Sequence, residues 1–107
     1  MLKIPFQVLP AKAPNETVTV GIGFSKRIPV GITITSCTVA VSVWEGTDPD
    51  AASMVSGSAD ISGDPMIRQD IGAGLDGVDY LVEARITLSN GQPRVGSVIL
   101  PVRKGGS

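Results

Sequence analysis

Tyr80, Val82, Ala84, Ile86 and Leu88 are spaced two apart, and Asp79, Glu83, Arg85, Thr87 and Ser89 hold most of the positions between them. On extended backbone successive side chains point to opposite faces, so this alternation describes a strand with one face in a core and the other in water. The same period runs through Glu16 to Phe24, with Val18, Val20, Ile22 and Phe24 on one face and Thr17, Thr19, Gly21 and Gly23 on the other. No window of a dozen residues has helical spacing free of Gly, Pro or β-branched interruptions. The chain is therefore expected to be all-β.

Thirteen Gly and eight Pro in 107 residues supply the turns such a fold needs. Leu2 to Val8 carries Pro5, which cannot donate to a ladder, so it reads as an edge strand or, over residues 1–12, an extended arm. Ile32 and Ile34 are even-numbered, whereas Cys37, Val39, Val41 and Val43 are odd. A bulge or break near Thr35-Ser36 is therefore needed to keep one apolar face. Gly46 to Ala51 is a turn, Met54 to Ile61 a weak strand interrupted at Gly57, and Met66 to Ile71 a short strand. Asn90-Gly91 predicts a two-residue hairpin into Val95–Val102. About seven short strands at this spacing predict one domain over residues 1–107, an immunoglobulin-like Greek-key β-sandwich with an N-terminal edge strand or arm. Tyr80 opens the penultimate strand. It fits either a tyrosine corner, with its hydroxyl bonded to upstream backbone, or a ring packed for its area alone.

The chain has no His and a single Cys, which removes imidazole-based triads, multi-Cys zinc sites and intrachain disulfides. Cys37, in an apolar strand, reads as an inert core thiol. Gly72, Gly74 and Gly77 match G-x-G-x-x-G, but a strand pattern follows them where a dinucleotide site needs a helix, so they read as a turn. Asp48, Asp50, Asp60, Asp64, Asp76 and Asp79 lack the spacing of a calcium loop and read as solvated turn residues. No catalytic residue, metal or cofactor is expected. No apolar run approaches the ~20 residues of a membrane span, and there is no leader-like N-terminus.

The formal charge of −1 argues against nucleic acid as a partner. Its distribution is uneven: Lys3, Lys12, Lys26 and Arg27 against Glu16 make residues 1–44 basic, residues 45–83 are strongly acidic, and Arg85, Arg94, Arg103 and Lys104 make the remainder basic. The segregation fits head-to-tail contact between copies or, as the favoured reading, acids gathered in solvated turns. Trp44 is either an interface anchor or, slightly favoured, a core ring between the sheets. Arg103 and Lys104 open a basic tail, 103–107. The candidate contact residues are Lys3, Phe6, Lys12, Lys26, Arg27, Trp44, Arg103 and Lys104.

Val41-Ser42-Val43-Trp44-Glu45-Gly46-Thr47-Asp48-Pro49-Asp50, Ile61-Ser62-Gly63, Gly72 to Tyr80, Ser89-Asn90-Gly91-Gln92 and Leu100-Pro101-Val102 resemble a family of small proteins of tailed bacteriophages and prophages. The resemblance spans roughly residues 9–103. It implies a virion structural protein with an immunoglobulin-like sandwich, made in the host cytoplasm, that decorates the capsid or completes the head, neck or tail. Its expected partners are other virion proteins and copies of itself, in a homo-oligomer or assembly-bound state, with no nucleic acid and no membrane. The alternative is a receptor- or carbohydrate-binding module of a phage fibre.

Overall fold

The computed structural model describes residues 7–24, 28–61 and 66–104. These form strands β1 (Gln7–Val8), β2 (Val18–Gly23), β3 (Ile34–Glu45), β4 (Val55–Asp60), β5 (Met66–Ile71), β6 (Asp79–Leu88) and β7 (Pro93–Pro101), with a single 3-10 turn at Ala51–Met54. The fold is all-β and built from two sheets, one ordered β1-β7-β6-β3 and the other β2-β5-β4. All pairings are antiparallel except that of β1 with β7.

The alternating residues meet between the sheets. Val20, Ile22, Phe24, Ile67 and Ile71 from one sheet and Val39, Val41, Tyr80, Val82, Ala84, Ile86, Leu88, Val98 and Leu100 from the other belong to one buried cluster. The phase change in β3 is absorbed by a register shift between Ile34 and Ser36, where the sequence requires it, and a second shift falls between Val43 and Glu45. Gly96 lets the layers approach closely: a Cβ there would lie 2.9 Å from Phe24 Cζ and 3.0 Å from Ile22 Cγ2.

One expectation is corrected and one pair of alternatives is decided. The β6–β7 connection is the four residues Ser89 to Gln92 rather than a two-residue turn. Gly91 alone takes a positive φ (84°), and its N–H donates to Leu88 O at 2.8 Å. Asn90 stays out of the left-handed region and instead accepts from Gln92 N through Oδ1 at 3.1 Å, so the tight turn with both residues at positive φ does not form. Of the two N-terminal alternatives, edge strand or extended arm, Gln7–Val8 take the first, because β1 is the edge strand of the four-stranded sheet. Gln7 and Val8 pair with Val98 and Ile99, Leu9 N donates to Ile99 O, Lys12 N to Pro101 O, and Arg103 N to Lys12 O. A parallel ladder on the β7 edge satisfies this backbone. Residues 1–6 lie outside the described region.

Candidate functional site

Of the contact residues proposed from sequence, Lys3, Phe6, Lys26 and Arg27 lie outside the described residues. Lys12 is not a surface contact, because it is 1% exposed. Its bridge to Val102 turns the stem inward, and its ammonium donates to Ala13 O at 2.7 Å. Burial holds its pKa below the ordinary lysine value, with Glu16 partly opposing.

The remaining three converge on one end of the four-stranded sheet. Trp44 sits in the β3 irregularity between the Val43–Tyr80 and Glu45–Asp79 pairs, and it is 41% exposed. The favoured core placement is thus corrected: Trp44 continues the exposed row of Thr38, Ala40 and Ser42, opposite the inward row of Val39, Val41 and the half-buried Val43. Glu45's partner Asp79 accepts from Arg103 Nη2 at 2.7 Å, while Arg103 Nη1 donates to Val102 O. Lys104 is exposed, and its backbone N donates to Asp76 Oδ1 at 2.6 Å. The first residues of the basic tail are therefore clamped to the β5–β6 loop. Leu75 in that loop, 49% exposed, adds an apolar element that sequence reading missed, since period-two analysis is blind to turn residues. The same holds for Val30, fully exposed between Pro29 and Gly31.

Tyr80 makes this end rigid. Its hydroxyl accepts from Leu75 N at 2.8 Å and donates to Asp48 Oδ2 at 2.7 Å, realising the tyrosine-corner alternative and adding a link to the β3–β4 connection. Burial first, then the Asp48 hydrogen bond, push its pKa up to about 12. Asp48 also accepts from Asp50 N, and Glu16 from Ala13 N. Asp48 and Glu16 are thus each used by the turn that carries it.

The glycine-rich stretch is a loop with Ala73, Gly74 and Gly77 at positive φ, and it leads into β6 without a helix. Cys37 is half-buried, and desolvation raises its pKa, which disfavours the reactive thiolate. Among the described residues no group of three or more acids and Cys is placed to hold a metal ion, and no helix is long and apolar enough to cross a membrane.

A groove of about 340 Å³ runs between β2 and the segment after β1, with Leu9, Lys12, Glu16, Val18, Val20 and Leu100 among its walls. A smaller cleft of about 190 Å³ lies between β3 and β4, beside Cys37 and Gln69.

The two sheets, with one end that exposes Trp44, Leu75 and Lys104 and ties Arg103 to Asp79, define a small all-β structural domain. Residues 12–101 match the family described as podophage GP4 fiber-tail adaptor protein gp77, and the chain belongs to that family. It is a structural protein of the tailed-phage virion, and an adaptor makes contact with other virion proteins. The matched span falls within the stretch that carries the resemblance in the sequence. No curated protein matches the chain significantly.

Proposed function

We propose that the chain completes the tail by joining a fibre to it, as a rigid β domain that performs no catalytic step and takes no cofactor. The family match over residues 12–101 carries this reading. The strand order supports an immunoglobulin-like Greek key, with three-stranded β2-β5-β4 packed on β1-β7-β6-β3 and the first strand parallel to the last. The surface of Trp44, Leu75, Arg103 and Lys104 supplies the contact with a neighbouring virion protein. It combines an exposed Trp with an Arg, two residue types enriched at interfaces, and Lys104 follows Arg103 in sequence.

Among the other stations a virion protein could occupy, capsid decoration and the head or neck have no observation in their favour. A sugar-binding module would present flat exposed rings, whereas Tyr80 and Phe24 are fully buried and Trp44 alone among the described aromatics is exposed. The protein is synthesised in the host cytoplasm and reaches its place during particle assembly.

Particles produced without this chain test the reading. They should have filled heads and attached tails but no fibres in electron micrographs, and purified wild-type protein should restore the fibres where Trp44→Ala with Arg103→Ala restores fewer. Fibres retained on particles lacking the chain would overturn the assignment.

A further inference from the structure

The four sheet edges are not equally guarded. β1 is two residues long and is followed by Pro10. β4 is broken by a register shift between Ser56 and Asp60, and β3 has the 3-10 turn and β4 packed against it. β2, by contrast, presents six residues, Val-Thr-Val-Gly-Ile-Gly, with no charge, proline or register shift against β5. Natural edges are usually blunted by one of those devices, because an unpaired row of N–H and C=O groups invites another strand. Beside this edge lies the 340 Å³ groove, whose walls include Val18, Val20 and Leu100. Among the described residues no strand pairs with this edge, and an open strand with an apolar recess next to it is the arrangement that accepts an added strand, with backbone hydrogen bonds giving affinity and alternate side chains filling the recess.

We propose that the β2 edge and its groove take the segment Leu2–Phe6 of a second copy of this chain. Leu2, Ile4 and Phe6 alternate with Lys3 and Pro5, so an extended segment offers three apolar side chains on one face. Pro5 costs no ladder bond when residues 2, 4 and 6 turn their backbone groups toward β2, because an added strand is paired on one side only. Leu9 to Lys12 of the receiving copy form the far wall of the groove and are tied to β7 through Leu9 N–Ile99 O and Lys12 N–Pro101 O, so that wall is fixed and the space between it and β2 is left for a strand from a neighbour. The inference deepens the adaptor reading, on which it rests for its setting in the particle, by naming a self-contact that would array copies around the tail.

Hydrogen exchange on the purified full-length chain tests it, across a dilution series with native mass spectrometry in parallel. The Val18–Gly23 amides should exchange roughly tenfold more slowly once oligomers form, with little change in β4, and Ile4→Asp should abolish both the protection and the oligomer. Three results would overturn the inference: a monomer at every concentration, β2 protection already complete in the monomer, or self-association that leaves Val18–Gly23 unprotected. Because the assay uses no particles, its failure is separable from failure of the adaptor assignment, which is read from fibres on virions.

Discussion

The chain passes between its sheets along two seams, and the two are held together differently. At the β3/β4 seam one side-chain hydrogen bond reaches far along the sequence, from Tyr80 to Asp48, with Leu75 N on the same hydroxyl. Beside it, within the three-stranded sheet, Gln69 Nε2 of β5 donates to Ser56 O at 2.8 Å and Gly57 O at 3.2 Å of β4. Gly72 N adds a backbone bond to Met54 O. At the β1/β2 seam the side-chain hydrogen bonds are local: Lys12 Nζ donates to Ala13 O, and Glu16 accepts from Ala13 N. Long-range bonds tie separate loops into one unit, whereas local ones shape a turn without closing the gap beside it. The groove lies along the second seam, and the candidate contact face lies at the end secured by Tyr80. A single small domain thus has a stiff end for presenting side chains and an open edge for receiving backbone.

Breaking the Tyr80 link should have the largest effect on this contrast. Tyr80→Phe keeps the buried ring but leaves Leu75 N–H and one Asp48 oxygen without that partner, at a cost of about 3 kcal/mol in chemical denaturation. The wild-type chain should also have an alkaline limb. An unfolded tyrosine releases its proton near pH 10, while folded Tyr80 keeps it to about pH 12. Its contribution is therefore complete below pH 10 and is lost between pH 10 and 12, amounting to about 3 kcal/mol, and the Phe variant should lack that decline. A Phe variant with unchanged stability would mean that the long-range links are incidental.

Next comes Gln69→Leu. Gln69 is 2% exposed, and its amide also donates to Asp70 O at 3.1 Å, so one side chain supports the β4 irregularity at Gly57, whose φ is +74°. Removing it should cost about 2 kcal/mol and speed exchange of the Ser56–Asp60 amides, while β2 exchange stays unchanged. Equal acceleration at β2 would show that the seams are not independent.

How much of this was readable in advance depended on the physical scale of each feature. The strand faces were, because burial on one side writes itself into a period of two, and the β3 bulge followed from the switch between Ile34 and Cys37. The Asn90-Gly91 turn type was misread because Asn90 has a second use for its side chain, capping Gln92 N. Trp44 was drawn toward the core by its large apolar ring, although its even position sets it opposite Val39, Val41 and Val43, so there the spacing was the better guide. Lys12 was drawn toward the surface by its charge, and its burial depends on which neighbour covers it, which residue type and spacing do not encode. The tie between Asp48 and Tyr80 joins residues 32 positions apart, beyond the reach of local pattern.

Lys12→Met gives the smallest expected effect and the sharpest distinction. If Lys12 were a contact residue, or a strut of the open seam, losing its charge would weaken assembly or stability. Its ammonium is instead held by a carbonyl of the adjoining residue, and burial disfavours the charged form. A lysine whose folded pKa is lowered costs stability while protonated. That cost is full well below the lowered value, is relieved as pH rises through it, and vanishes above the ordinary 10.5. Methionine fills similar space without the charge, so the variant should be neutral or more stable by at most about 1 kcal/mol at pH 7, with the gain shrinking toward pH 10.5. Melting curves across that range measure it. A loss above about 2 kcal/mol would mean that the groove seam is braced as firmly as the opposite one, and the difference drawn between them would fall.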